Sequence, residues 1–143
     1  MRRGVTIVEL LTVVTVVGIL LGLALPRIAG WTDRIAVNRA STELASFYNR
    51  ARFGAIFRST RVRLEFTADS LVAIYEGARG DSTFLQWPGP SRHHVSLRAS
   101  RPVIRIYPTG IGYGAANTKL VVQRGAAAES LTTSRIGRIK RWH

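Results

Sequence analysis

The longest apolar stretch of this chain is Val5–Leu25, with the sequence VTIVELLTVVTVVGILLGLAL. Glu9 is the one charged residue within it. As a helix rising about 1.5 Å per residue, the stretch would be about 30 Å long, which is the thickness of a bilayer's hydrocarbon core. Arg2 and Arg3 precede it and favour a cytoplasmic N-terminus. The stretch therefore predicts a single transmembrane helix that places the rest of the chain across the membrane.

The stretch differs from a cleaved secretory signal. Such a signal has an apolar core of about 7–15 residues followed by a small-residue cleavage site, whereas this longer stretch ends in Leu25-Pro26-Arg27. We therefore expect a retained anchor. Glu9 is unusual within it, because a carboxylate inside a membrane helix costs about 2.5–3.5 kcal/mol on insertion scales and normally marks a function and a partner. The alternative is an ordinary anchor whose acid lies near the lipid headgroups.

Length and composition indicate one domain with a basic surface. The chain has 143 residues, 46% of them hydrophobic and 20% charged, so it can bury a single core. Its 21 Lys and Arg against 8 Asp and Glu give a formal charge of +13, which attracts phosphate, acidic protein surfaces or anionic lipid. The absence of cysteine excludes a disulfide scaffold, a thiol nucleophile and cysteine-ligated metals.

The helix is predicted to continue beyond the membrane. Pro26 lies where it would leave the bilayer, and we expect this proline to bend the helix rather than end it. Apolar residues then recur at steps of three and four, which predicts an amphipathic continuation over residues 26–58 and one helix from Val5 to Phe57. The predicted apolar stripe consists of Trp31, Ile35, Val37, Ala40, Leu44, Phe47, Tyr48, Ala51 and Ala55.

After Arg58 the apolar period changes to two, which is typical of half-buried strands. A hairpin is predicted, with strands over 62–66 and 71–76 joined by a turn at Ala68-Asp69-Ser70. Further strands are predicted at Thr83–Trp87, His94–Leu97, Val103–Tyr107, Lys119–Gln123, Ser130–Ser134 and Arg135–Trp142. The predicted fold class is α+β, with the long N-terminal helix packed against an antiparallel β-sheet in a β-rich head, residues 59–143.

No constellation of residues predicts catalysis, a metal or a cofactor. The glycine-rich segment Gly110–Gly114 lacks the following helix that a phosphate cradle needs, so a strand connection is favoured. His93 and His94 lack an acidic cluster, and solvent-facing or loop histidines are favoured over a metal site. Ser91 and Ser96 lack an orienting carboxylate for a catalytic triad. We therefore expect a protein that is not an enzyme.

The N-terminal segment Gly4–Leu11 (GVTIVELL) resembles the signature of type IV prepilins and type II secretion pseudopilins. This resemblance implies that residues 1–4 are a leader peptide and that a prepilin peptidase cuts after Gly4. It also implies that Val5, where the family mostly has Phe, becomes an N-methylated N-terminus. Glu9 matches the family's acid position, and Pro26 matches the proline of the family's long helix. The resemblance implies that both residues act in subunit assembly. Physically, an unpaired acid in lipid is costly, so pairing Glu9 with a neighbouring subunit's amine would favour docking and set the axial register.

Three C-terminal segments carry a second resemblance, to the GspH/FimT branch of minor pilins and pseudopilins. They are Ile104–Gly110, Leu120–Arg124 and Ser134–Arg141. The last contains the basic residues Arg135, Arg138, Lys140 and Arg141. As a strand, Arg135–Trp142 would place Arg138, Lys140 and Trp142 on one face, which suits phosphate contact with base stacking. The alternative is a solvated strand whose charges protect a sheet edge from aggregation.

The sequence thus predicts a minor pilin or pseudopilin subunit in the bacterial inner membrane. It would cross once, place its C-terminal domain in the periplasm, and join a pilus or pseudopilus. Its expected partners are other pilin or pseudopilin subunits, the prepilin peptidase and the membrane. Two alternatives extend this hypothesis. Some members of the FimT branch are associated with DNA capture, which implies a DNA-binding minor pilin for natural transformation. A secretion pseudopilin would instead contact exported proteins.

Overall fold

A computed structural model of the chain describes residues 6–78, 80–113 and 117–142, without the side chains of residues 23–29. Within these ranges the chain forms one long helix, α1 (Ile7–Phe57), a 3-10 turn at Pro90–His93 and a set of strands. The strands are β1 (Arg61–Phe66), β2 (Ser70–Gly77), β3 (Gly80–Pro88), β4 (Ser96–Ala99), β5 (Val103–Ile106), β6 (Thr118–Arg124), β7 (Ala127–Thr133) and β8 (Ile139–Trp142). The α+β class predicted from the sequence is confirmed.

The chain divides into two compact units, Met1–Thr32 and Asp33–His143. In the first unit, the hydroxyl oxygen of Thr6 accepts the backbone N–H of Glu9 at 3.2 Å, which caps the start of α1. Among the described residues, no helical segment combines the length and the hydropathy of a membrane span. The predicted leader (1–4) and both ends of the predicted span (5–25) lie outside the residues whose side chains are described.

In the second unit, one face of α1 is buried against the β-rich part of the chain. The buried residues of this face are Ala36, Val37, Ala40, Leu44, Phe47, Tyr48, Ala51 and Ala55. The predicted stripe is therefore correct from Val37 onward. Trp31 and Ile35, in contrast, are 70% and 43% exposed. At 100° per residue, Ala36 rather than Ile35 lies in line with the buried face.

The strands form two antiparallel sheets rather than the single sheet predicted. The first sheet has the order β3-β2-β1-β5 and the second has the order β4-β6-β7-β8. Alternating apolar residues identify a half-buried strand but do not specify its partners, so the division was not available from the pattern. Val95 and the inner faces of both sheets supply the rest of the core; the strand residues are Val62, Leu64, Phe66, Leu71, Ala73, Ile104, Ile106, Leu120, Val122 and Leu131.

Two predicted strands begin later than expected. His94 has a left-handed backbone (φ 55°) after the 3-10 turn, so the strand predicted from His94 starts at Ser96. The strand predicted over Arg135–Trp142 starts at Ile139, because Gly137 has φ +79° and closes a turn. A Cβ at Gly137 would lie 2.3 Å from the carbonyl oxygen of Gly110, so the site requires glycine.

Candidate functional site

The residues predicted to act in processing and assembly lie in the first unit. Gly4 and Val5 fall outside the described residues, and Pro26 lies within α1 without a described side chain. Glu9 lies in the first turn of α1 and is exposed. Across the described ranges, none of the ion pairs includes Glu9. Its carboxylate is therefore available to a group from outside the described chain.

The helix around Glu9 is apolar and uncovered. Its exposed side chains include Ile7, Val8, Leu10, Leu11, Val13, Val14, Ile19, Leu20 and Leu21, all at least 55% exposed. Soluble monomers rarely expose a contiguous apolar patch of more than a few hundred Å². Larger apolar surfaces are typical of interaction sites. Among the side chains described for residues 6–22, Glu9 is the one acid.

The C-terminal strand β8 separates its cations between two faces. Lys140 and Trp142 are exposed on the outer face, where the Lys140 Nζ lies 3.8 Å from the centroid of the Trp142 ring. The indole N–H of Trp142 donates to the Thr132 hydroxyl oxygen at 3.0 Å. The predicted pairing of Lys140 with Trp142 on one face is therefore present in the structure.

Arg135 and Arg138 lie in the turn that precedes β8 and are exposed. The N–H of Arg138 donates to the Ser134 hydroxyl oxygen at 3.2 Å, and the N–H of Arg135 donates to the Asn117 side-chain oxygen at 2.9 Å. The turn closes a cleft of about 360 Å³, lined by Asn117, Thr132, Thr133, Ser134, Arg138 and Lys140. No acid is among these lining residues, so two cations and several hydrogen-bonding groups form a basic, polar surface that suits an anion.

Arg141 lies on the opposite face of β8 from Lys140. Its guanidinium donates to the Glu129 Oε1 at 3.1 and 2.7 Å and to the Thr42 hydroxyl oxygen at 3.0 Å. It also donates to the side-chain oxygen of Asn38 in α1. Glu129 is only 4% exposed. Arg141 therefore joins the last strand to the helix. The alternation along the predicted strand already places Arg141 on the face opposite Lys140. Its partners were not predicted, because they come from distant segments of the chain.

The neutral residues of the C-terminal cleft were not predicted from the sequence. Asn117 reaches the cleft from the segment before β6, and Thr132 belongs to β7. Ser130 and Thr132 of β7, and Ser134 just after it, occur at every second position, so an outward polar face was available as a signal.

The remaining candidate motifs have structural partners. His93 Nε2 lies 3.1 Å from Glu43 Oε2, beside an ion pair of Arg92 with the same carboxylate. Among the described residues, no three metal-ligating side chains form a cluster. Gly110 has φ +77°, and its carbonyl oxygen accepts a hydrogen bond from the Arg52 Nε at 2.9 Å. β6 follows the glycine-rich segment, as expected for a strand connection.

Comparison with known proteins supports one superfamily. No protein-family model matches the chain. The pilin-like protein PilA1 of Thermus thermophilus is 45% identical over 84 residues, which are 59% of this chain. The chain spans about half (48%) of the length of that relative. The resemblance to the type IV pilin superfamily is thereby confirmed in sequence.

Solved structures confirm the fold. The type IV minor pilin FimU of Pseudomonas aeruginosa superposes with a TM-score of 0.64 at 14% identity, over 75% of this chain and 88% of that protein. A second crystal form of FimU gives a TM-score of 0.61 at 14% identity, over 74% of this chain and 92% of that protein. The chain thus has a pilin-like α+β fold.

Proposed function

We propose that the chain, which has a type IV pilin-like fold, is a minor pilin or pseudopilin subunit that assembles into a type IV pilus or a type II secretion pseudopilus. Residues 5–25 would anchor it in the inner membrane, and residues 59–143 would form its periplasmic head. The observation that carries the proposal is Glu9, an exposed acid without a described ion pair on an otherwise apolar helical surface.

Assembly would depend on cleavage of the chain, because cleavage creates an amine that can pair with Glu9. Cleavage by a prepilin peptidase after Gly4 would leave an amine at Val5, which is the family's N-methylated position. An acid buried among lipid or apolar helices is costly unless a cation meets it. Pairing of Glu9 with the amine of a neighbouring subunit would remove that cost and hold the two helices in one axial register.

Replacing Glu9 with alanine is expected to exclude the subunit from filaments while leaving cleavage intact. The fraction of the protein in sheared filaments, compared with the membrane fraction, measures incorporation, and mass spectrometry of the native chain locates its N-terminus. Glu9→Asp is the matched control, because it retains the charge and should retain part of the incorporation. Full incorporation of Glu9→Ala, or a wild-type chain that still begins at Met1 where the peptidase is active, contradicts the proposal.

An alternative function is supported by the C-terminal cleft. Arg138 and Lys140 line it together with hydroxyl and amide groups, Arg135 lies in the adjoining turn, and the Trp142 ring is 49% exposed. Cations beside an exposed aromatic ring suit phosphate contact with base stacking. This arrangement favours a DNA-binding minor pilin that uses Arg135, Arg138 and Lys140. Arg141 would act indirectly, since its guanidinium is occupied by Glu129.

The double variant Arg138→Ala/Lys140→Ala is expected to weaken the binding of duplex DNA by a soluble fragment that begins near Arg27. Because counterion release scales with the phosphates contacted, the salt dependence should also become shallower, by about two units of slope. Arg98→Ala/Arg101→Ala, which removes two exposed cations at the opposite edge of the same sheet, in and just after β4, is the matched control. Unchanged affinity in the first variant, or equal loss in both, contradicts this site.

A secretion defect on deletion, without DNA affinity, would favour a pseudopilin that contacts exported proteins.

A further inference from the structure

A second cleft lies at one end of the first sheet, and it shares no lining residue with the C-terminal cleft. Its volume is about 180 Å³, and its lining residues are Arg61, Glu76, Arg105, Ile106, Tyr107 and Tyr113. Strand pairing brings them together, because Arg61 of β1 is opposite Glu76 of β2 and Val62 is opposite Ile106 of β5. The N–H of Tyr113 donates to the Arg105 carbonyl oxygen at 2.8 Å, which holds Tyr113 beside β5.

The charge of this cleft favours an anion. The Arg61 guanidinium lies 5.7 Å from the centroid of the Tyr107 ring, and no described carboxylate forms an ion pair with it. The Arg105 Nε donates to Glu76 Oε1 at 2.9 Å, and this hydrogen bond raises the pKa of the guanidinium, which stays charged. Its terminal amino groups make no hydrogen bond within the described residues and can bind a carboxylate in the bidentate geometry that arginine favours.

The volume of the cleft and its two tyrosine side chains suit a ligand with one six-membered ring. The Tyr107 and Tyr113 rings meet edge to face with centroids 5.2 Å apart, and Tyr113 is 53% exposed. A cavity of about 150 Å³ holds a molecule as large as benzene, so about 180 Å³ accommodates one substituted six-membered ring. The phenol groups and Glu76 add hydrogen-bonding partners for hydroxyl groups.

We propose that this cleft binds one uronic acid ring of an acidic polysaccharide. The sugar's carboxylate would bind Arg61 and the free amino groups of Arg105, its apolar face would pack on Tyr113, and its hydroxyls would donate to Glu76. Glu76 distinguishes this ligand from single-stranded DNA. A carboxylate accepts hydrogen bonds from the hydroxyls of a sugar ring, whereas the deoxyribose within a DNA strand has no free hydroxyl to donate. The site is independent of the assembly role proposed for Glu9.

Titration calorimetry with the full chain in detergent tests this site. The probes are trigalacturonic acid, the corresponding neutral galactose trimer and an oligothymidine. We expect the acidic trimer to bind, and Arg61→Gln and Tyr113→Ala each to weaken it by about ten-fold or more. The matched control is Arg98→Gln, which removes an exposed arginine of the other sheet and should leave the affinity unchanged. Arg61→Lys should recover only part of the affinity, because lysine retains the charge but lacks the planar fork.

Four results would overturn the proposal. They are no binding of the acidic trimer at millimolar concentration, equal affinity for the neutral trimer, equal losses in Arg98→Gln and Arg61→Gln, and tighter binding of the oligothymidine. The last result would assign the cleft to single-stranded nucleic acid. Unchanged thermal unfolding of Arg61→Gln and Tyr113→Ala confirms that the loss of affinity does not come from unfolding, as expected for exposed residues.

Discussion

Phe47→Ala is expected to lower the free energy of unfolding of the second unit by about 4 kcal/mol, through lost apolar burial and a residual cavity. The Phe47 side chain is fully buried in α1. Its ring meets Phe66 of β1 edge to face, with centroids 5.9 Å apart, and meets Trp87 of β3 at 5.8 Å. The substitution therefore removes contacts that join the helix to two strands of the first sheet. Thermal and urea unfolding followed by near-UV circular dichroism measure the change.

Phe53→Ala is the matched control for this prediction. Phe53 belongs to the same helix but is 67% exposed, so its removal leaves no internal cavity. We expect its effect on the free energy of unfolding to stay within about 0.5 kcal/mol. Equal destabilisation by Phe47→Ala and Phe53→Ala would mean that α1 does not pack on the first sheet through the face described here.

Arg141→Met is expected to destabilise the same unit by about 3 kcal/mol, because it leaves a buried carboxylate without its cation. Glu129 is 4% exposed, and its Oε1 accepts two hydrogen bonds from Arg141. The substitution also removes the hydrogen bonds from β8 to Thr42 and Asn38 of α1. For a domain of about 100 residues, we expect the melting temperature to fall by more than about 10 °C.

Two further variants separate the charge effect from loss of packing. In Arg141→Met/Glu129→Gln no charge is left buried, so we expect this double variant to recover part of the lost stability. Arg138→Met removes an exposed arginine near the same strand and should change the free energy of unfolding by less than about 0.5 kcal/mol. Similar melting temperatures for Arg141→Met and Arg138→Met would contradict the role assigned to Arg141.

The two clefts show which features the residue pattern along the sequence could predict and which it could not. The basic C-terminal segment was recognised from sequence, and Lys140 with Trp142 does share one face of β8. The strand begins later than the alternation suggests, because Gly137 has a left-handed backbone and lies in a turn. The Tyr107–Tyr113 cleft was missed altogether, because its residues come from β1, β2, β5 and the following segment, and their proximity depends on strand pairing.

The long helix and the positions of most strands could be predicted from the residue pattern, because a helix or a strand that buries one face repeats its apolar residues with its own period. Val37–Ala55 and β1 illustrate this, since their spacing alone identifies the buried side. The division of the strands into two sheets, and the binding of Arg141 to Glu129, became clear only once the chain was folded. Those outcomes depend on which distant segments pair, and pairing is set by the packing of the whole core.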